Sequence, residues 1–375
     1  MTKLFIIRHC QAEGNVYRFL QGHFDGKVTP FGYLQVDALA ERMKDEKIDE
    51  VYSSDLSRAC ATAEALLRYR PEIRLHVEPR LREINMGIWE AVPMGNVIYD
   101  SYDSVKLFMK DSPDWRVPCA ETFEEVGKRM YWAIAEIALR HPGKTVAIVS
   151  HGVAIRCFLA AAMGVPLHEA TDIPLSRNTA VSLFTWDCGK FIPEYINDAS
   201  HLDSLCTAAR YEPFTKNAVF LRSQTVTPKS IEQYYKDCYE KSWHFAHGSL
   251  NGFNPETYYK NARTHYAADS ESIIAVYDGN KRAGLLDLDP KRGKEDGAGW
   301  ISLLYLEKEY RGRGLAPQIL GMAVLFFQKR GRSKLRLTCA ESNVKAMQFY
   351  KNYGFTEKDR HVTENGEIVL MEKEI

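Results

Sequence analysis

The chain has 375 residues, 45% of them hydrophobic and 26% charged, and its formal net charge is zero. That balance removes the electrostatic pull toward nucleic acid or an anionic membrane, and neither is expected as a partner. The length exceeds what one hydrophobic core ordinarily organises, and the eight scattered cysteines show neither a Cys-x-x-Cys pair nor zinc spacing, so two domains with reduced thiols are expected.

Residues 4–7 form an apolar strand-type run that ends at Arg8-His9. The run is too short for a signal peptide, and no stretch reaches the ~20 apolar residues of a membrane span, so a cytoplasmic location is expected. A polar, Gly-bearing loop follows at 10–29, and Pro30-Phe31-Gly32 opens a helical stretch at 35–44. The pattern then predicts a strand at 51–54, a helix at 55–69, a strand at 74–77 and a long amphipathic helix at 121–140 that stops at His141-Pro142-Gly143. A buried strand at 145–149 ends in Ser150-His151-Gly152; a helix at 153–163 and closing strands at 178–185 and 191–196 complete the alternation. Such alternation predicts a three-layer α/β/α domain with a mostly parallel sheet covered on both faces. The rhythm is lost near 199–216, which places the first domain at 1–205, a linker at 206–216 and a second domain at 217–375. The second domain starts with a strand at 217–223 and a helix start at Thr227-Pro228. Strands at 273–277 and 300–306 are separated by a charged, Gly-rich hairpin loop at 289–299. A buried helix at 315–328, a strand at 334–340 and a short helix at 343–353 follow.

Two parallel strands that end in His9 and His151 bring two imidazoles to the sheet edge where ligands of open α/β sheets bind. Moving a phosphoryl group without a metal needs a nucleophile, cationic donors on the phosphate oxygens and an acid for the leaving alkoxide. Neutral imidazole is a competent nucleophile near neutral pH. Arg8 adjoins His9, Arg58 follows a strand in Ser54-Asp55-Leu56-Ser57-Arg58, and Glu83 is the best placed carboxyl. Together with Asn15, Gln21-Gly22, Thr29-x-x-Gly32, Tyr52-Ser53-Ser54-Asp55-x-x-Arg58-Ala59-x-x-Thr62-Ala63, Glu83-x-x-x-Gly87-x-Trp89-Glu90 and Ser150-His151-Gly152, these residues resemble the histidine phosphatase superfamily, which includes the phosphoglycerate mutases. The resemblance covers about residues 3–200. It implies that His9 is the phosphorylated nucleophile and Glu83 the proton donor, that Arg8, Arg58 and His151 hold the phosphate, and that Asn15, Gln21 and Gly22 lie at the phosphate or substrate. No metal is implied. The family's Gly, Glu and Thr after the nucleophile are replaced by Cys10, Gln11 and Ala12; a passive Cys10 is expected, since a thiol is superfluous beside His9. The short spacing from Glu83 to His151 favours a phosphatase over a mutase. The segment 93–115, with Tyr99, Tyr102, Phe108 and Trp115, either caps the pocket or packs the domain.

Arg311-Gly312-Arg313-Gly314-Leu315-Ala316 lies between a strand and a buried helix, a context in which backbone N–H groups and the helix dipole suit a pyrophosphate. With Asn343-x-x-Ala346-x-x-Phe349-Tyr350 and Tyr353-Gly354-Phe355, this order resembles the GNAT acetyltransferases over about 217–375, which implies an α+β fold with a mixed, mainly antiparallel sheet. By that resemblance acetyl-CoA is the cofactor. Its pyrophosphate lies on the amides of residues 311–316, its pantetheine arm runs along 301–306 with Leu304 and Leu306, Asn343 touches it, and Tyr350 is the general acid at the thioester sulfur. The basic run Lys329, Arg330, Arg332 and Lys334 reads as a solvated helix end. Glu307 and Glu309 are candidate bases, and neither identifies itself as the base. The whole reads as a bifunctional enzyme acting on a small phosphorylated metabolite and on a small or protein amine. A phosphoglycerate mutase and a phosphatase with a CoA-sensing second half are the alternatives. Specificity is expected to lie in loops such as 93–115 and 243–270.

Overall fold

The structure, a computed structural model, describes residues 1–170, 173–205, 218–364 and 366–375; the linker expected at 206–216 lies outside them. The chain separates into two units, the first comprising Met1–Val16, Leu20–Val92 and Asp100–Pro213, the second Tyr17–Phe19, Pro93–Tyr99 and Phe214–Ile375. The short segments 17–19 and 93–99 thus group with the second unit, although the sequence reading put them in the first.

The first half of the chain runs β1 (Thr2–Arg8), α1 (Glu13–Tyr17), α2 (Pro30–Met43), β2 (Glu50–Ser53), α3 (Ser57–Leu67), β3 (Leu75–Val77), α4 (Met94–Asp100), α5 (Tyr102–Met109), α6 (Phe123–Arg140), β4 (Thr145–Ser150), α7 (Gly152–Met163), β5 (Val181–Asp187) and β6 (Lys190–Asp198). Its sheet has the order β3-β2-β4-β1-β5-β6. The first four strands are parallel, and β5 and β6 are antiparallel additions. β1 and β4 are apolar along their length because both faces are covered; Phe5, Ile7, Ala147 and Val149 enter one core with Leu39, Met43, Ala63 and Leu66 of the helices. Helix starts are encoded locally. Thr29 accepts from the Gly32 N–H ahead of Pro30, and Thr122 with Glu125 forms a reciprocal capping box at α6. The 93–115 segment contains α4 and α5 rather than a loop. Phe108 and Trp115 pack with Trp89 and Phe123 at centroid distances of 5.1–6.4 Å, while Tyr99 and Tyr102 are exposed.

The second half runs β7 (Arg222–Thr225), α8 (Glu232–His247), α9 (Pro255–Ala268), β8 (Ile273–Asp278), β9 (Lys281–Asp289), β10 (Ala298–Leu306), α10 (Ala316–Gln328), β11 (Lys334–Ala340), α11 (Val344–Asn352), β12 (Thr356–Thr363) and β13 (Gly366–Glu374). The sheet order is β12-β13-β11-β10-β9-β8-β7, and only β10 and β11 pair in parallel. Three expectations are corrected. The supposed loop at 243–270 is irregular chiefly at 248–254; the rest is mainly the end of α8 and all of α9, whose start is set by the Asn254 side chain accepting from the Glu256 N–H, with Pro255 in the first turn. An unanticipated strand, β9, stands between the strands at 273–277 and 300–306, so the hairpin loop at 289–299 joins β9 to β10. The first strand begins at Arg222 rather than 217, where the starting residue lies outside the described ones. α10 is buried from Pro317 to Phe327, consistent with its apolar character all round. Among the described residues no helix is long and apolar enough to cross a membrane.

Candidate active sites

Strand register explains the first site. Arg8 of β1 lies opposite Ser150 of the parallel strand β4, so the next residues, His9 and His151, emerge side by side. Their ring centroids are 4.9 Å apart, and the His9 N–H donates to the Ser150 carbonyl at 2.9 Å. β2 pairs with β4 on its other side, Ser53 opposite Val149, and leads into α3, whose second residue is Arg58. Glu83 comes from the irregular segment after β3. This segment is tied down where Ser150 Oγ donates to the Leu81 carbonyl at 2.7 Å.

His9 is buried, and its Nδ1 lies 2.6 Å from the Cys10 carbonyl. A carbonyl accepts only, so Nδ1 carries the proton and Nε2 keeps its lone pair. Burial, then the charges of Arg58 and Arg8, hold the His9 pKa well below the ordinary 6.5, outweighing the Cys10 carbonyl. Burial, then the charge of Arg58, does the same to His151. Both rings are therefore neutral at pH 7. Arg58 is fully buried. Its guanidinium donates to the carbonyls of Phe24 at 2.9 Å and Gly22 at 2.7 Å, and Asp25 lies 3.7 Å away. Burial lowers its pKa to about 10, against the charges of Glu83, Asp25 and Glu90, so it stays cationic at neutral pH. Arg8 donates to the Ser176 carbonyl. Among the described residues, Arg8 Nε, Arg58 Nε and both ring nitrogens of His151 are buried without a partner. Buried unsatisfied polar groups are costly, and these belong to His151, whose ring stands beside that of His9, and to the two arginines whose charges act on His9; a bound oxyanion would satisfy them.

The Glu83 carboxyl sits at the start of α7. It accepts from the N–H groups of Val153 at 3.1 Å and Ala154 at 2.8 Å, and from its neighbour Ile84 at 3.0 Å. Asn15 and Gln21 are engaged in shaping the loop. Asn15 Oδ1 accepts from the Ala12 N–H at 3.0 Å, and Gln21 Oε1 accepts from the Gly14 N–H at 2.8 Å. Cys10 faces the core with Val36, Ala40 and Ala65, and burial pushes its thiol up to about 11. Three contributors escaped the sequence reading. Asn178 Nδ2 donates to the His9 carbonyl at 2.9 Å, and Ser176 holds Arg8. Glu90 accepts from the N–H groups of Gly22, His23, Phe24 and Met86 at 2.7–3.2 Å. Glu90 belonged to a quoted motif; Ser176 and Asn178 carried no local signal.

The second site lies where β10 and β11 part. They pair only at Ala298–Trp300 with Lys334–Arg336. Beyond this, residues 301–306 and 337–340 line a cavity of about 760 Å³. Leu304, Leu306, Arg311, Gly312, Gly314, Leu315, Ala316, Asn343 and Tyr350 line it; Arg313 is not among them. Gly312 and Gly314 have φ of 72° and 70°, which glycine adopts at no steric cost and which turns the chain into α10. Arg311 Nε donates to the Leu306 carbonyl at 2.7 Å. The Asn343 side chain caps α11, accepting from the Ala346 N–H at 3.2 Å. Burial, then Cys339, raises the Tyr350 pKa, so its phenol keeps its proton. Glu307 accepts from the Tyr305 hydroxyl at 2.9 Å, Glu309 pairs with Lys281 at 3.2 Å, and Arg330 pairs with Asp269 and Glu271. Tyr239, Trp243 and Tyr258 also line the cavity. The i, i+4 spacing of Tyr235, Tyr239 and Trp243 was the signal for a helical face that the sequence reading passed over. The opening, the glycine turn and the helix start together fit a ligand with a peptide-like arm and a pyrophosphate.

The family model described as histidine phosphatase superfamily (branch 1) matches residues 4–199, and that of the acetyltransferase (GNAT) family matches residues 229–355. The chain is 30% identical over 210 residues to a probable phosphoglycerate mutase, GpmB, of Proteus mirabilis, across 55% of this chain and 97% of that protein. A protein of the same name from Photorhabdus laumondii is 30% identical over 209 residues, across 54% and 96%. Among solved structures, YhfR of Bacillus stearothermophilus matches with a TM-score of 0.52 and 30% identity, across 54% of this chain and all of that one.

Proposed function

Because the chain belongs to the histidine phosphatase superfamily and carries a GNAT acetyltransferase domain, we propose that it is bifunctional, hydrolysing a small phosphomonoester through a phosphohistidine and transferring acetyl from acetyl-CoA to an amine. We assign the first activity to residues 1–205 and the second to 217–375. The observation that carries the phosphatase reading is the His9 tautomer: Nδ1–H donates to the Cys10 carbonyl and leaves Nε2 with its lone pair, while Arg8 Nε, Arg58 Nε and the ring nitrogens of the adjacent His151 are buried without partners.

In this reading Nε2 attacks phosphorus while the P–O bond to the leaving group breaks. Glu83 gives its proton to the departing alkoxide, and Arg8, Arg58 and His151 hold the equatorial oxygens. Glu83, now a carboxylate, takes a proton from water. The hydroxide attacks phosphorus, the P–N bond breaks, and inorganic phosphate leaves with His9 restored. Incubation with a 32P-labelled phosphomonoester, quenched rapidly, is expected to give an acid-labile, base-stable label on the wild-type chain and none on His9→Ala. Undiminished turnover by His9→Ala defeats the proposal. The curated relatives named as probable phosphoglycerate mutases favour a second reading, transfer back to an acceptor rather than to water. Isomerisation of 3-phosphoglycerate rather than its hydrolysis would select it.

For the second activity acetyl-CoA, when bound, supplies the activated thioester. The amides at the start of α10 bind its pyrophosphate, residues 301–306 align its arm, and Asn343 adds a contact. Tyr350 holds a proton on its phenol for the departing sulfur. Tyr350→Phe is expected to abolish acetylation while calorimetry finds acetyl-CoA affinity retained; a half that binds CoA only as a sensor has no turnover to lose.

A further inference from the structure

Arg129, on α6, plays no part in the chemistry above, yet all five of its N–H donors have acceptors. Nε donates to Glu121 Oε1 at 2.7 Å, and Nη2 to Glu121 Oε2 at 2.8 Å and to the Glu83 carbonyl at 2.9 Å. Nη1 donates to the carbonyls of Arg80 and Arg82 at 2.8 and 2.7 Å. Glu121 Oε2 also accepts from the Asn85 N–H at 2.9 Å, and His23 Nε2 lies 3.0 Å from the Glu83 carbonyl. One ion pair therefore grips backbone groups of residues 80, 82, 83 and 85. Residues 82–85 belong to no helix or strand, so no ladder or helical turn of their own fixes the backbone at Glu83. Its carboxyl is held at the far end by the Val153 and Ala154 N–H groups.

We propose that the Arg129–Glu121 pair is the positioning device for the acid–base carboxyl, fixing the backbone from which Glu83 reaches the leaving oxygen. The inference rests on the phosphohistidine reading. A general acid works only within hydrogen-bond reach of its oxygen, and a displacement of about 1 Å costs on the order of 100-fold in rate. An ion pair that fixes Glu83 but touches no substrate affects the step that needs a proton and spares the phosphate-binding groups.

The experiment compares two substrates on the full chain by kcat/KM, which reports phosphorylation of His9 and not the shared hydrolysis of the phosphoenzyme. β-Glycerol phosphate releases an alkoxide that must be protonated; p-nitrophenyl phosphate releases a phenolate that leaves unaided. Arg129→Met is expected to lower kcat/KM for β-glycerol phosphate by about 100-fold and for p-nitrophenyl phosphate by less than about threefold, with inhibition by inorganic phosphate unchanged. Arg129→Lys is expected not to rescue, since an ammonium lacks the planar fork. Glu121→Gln puts an NH₂ group against existing donors, is expected to show the same selectivity, and decides the matter if Arg129→Met does not fold. Equal loss on both substrates, or loss on neither, overturns the proposal. His9→Ala is the separate control, because full activity there fails the phosphohistidine reading and not the clamp.

Discussion

At the scale of single residues, burial and the neighbouring guanidinium groups keep the two imidazoles of the proposed site uncharged. The folded-state pKa values of His9 and His151 lie well below 6.5, whereas the unfolded chain titrates near 6.5. Below that pH the unfolded chain binds protons that the folded rings refuse. Stability therefore rises with pH up to about 6.5 and is lost as pH falls below it, by up to about 1.4 kcal/mol per imidazole per pH unit. Urea midpoints for the first unit are expected to drop between pH 7 and 5.5, while the acid limb of kcat/KM from His9 protonation lies well below 6.5. An acid limb centred at 6.5 contradicts the proposed burial of charge-free rings. Cys10, with its thiol raised to about 11 and turned into the core, is expected to resist alkylation at pH 8 in the folded chain.

At the scale of elements, the loop after α1 is as much a part of the site as the strands. Glu90 gathers the N–H groups of residues 22–24, which turns the carbonyls of Gly22 and Phe24 toward Arg58. A Cβ on Gly22 would stand 2.2 Å from the Ile84 carbonyl oxygen and 2.4 Å from Glu90 Oε1. Gly22→Ala must therefore displace the loop and release the Arg58 guanidinium. We expect a stability cost of roughly 1–3 kcal/mol, typical of overpacking, together with weaker inhibition by inorganic phosphate. An unchanged inhibition constant would show that Arg58 does not depend on this loop. The parting of β10 from β11 after three residue pairs has a comparable role, since a ladder continued to residue 306 would close the space its side chains line.

At the scale of the whole molecule, buried histidines in the two units are shifted in opposite directions. In the second unit His265 is wedged between Asp287 at 2.8 Å and Asp289 at 3.3 Å, and Tyr235 donates to Asp287 at 2.6 Å. Burial alone would lower the His265 pKa, but hydrogen bonds and charges of the two aspartates outweigh it and raise it to about 9. The stability that His265 draws from this cluster is present below pH 6.5 while the aspartates stay ionised, and is lost as pH rises from 6.5 through 9. Hydrogen-exchange mass spectrometry, which reads each unit through its own peptides, is expected to show the first unit opening more readily in acid and the second in alkali. Parallel behaviour of both units would refute the assignment of these buried charges.

The apolar runs that end at His9 and His151, the Arg58 helix start, the Gly312–Gly314 turn and α10 were all legible in the sequence, because each is a local pattern whose geometry follows from its own residues. The exposed strand β12, the strand β9 and the helix α9 were not. β12 buries no face that would impose alternation, β9 is buried over Ala283–Leu288 without an alternating pattern, and α9 is mostly polar, with only Tyr259, Ala262 and His265 buried. The same division holds at the site. Residue types and spacing determined which groups were candidates for the chemistry. Tertiary structure decided the protonated nitrogen of His9, the partners of Ser176 and Asn178, and the grip of Arg129 on the Glu83 backbone. Carbonyls and N–H groups are the same in every residue, so which of them meet a given side chain depends on packing between distant segments, and no local pattern records it.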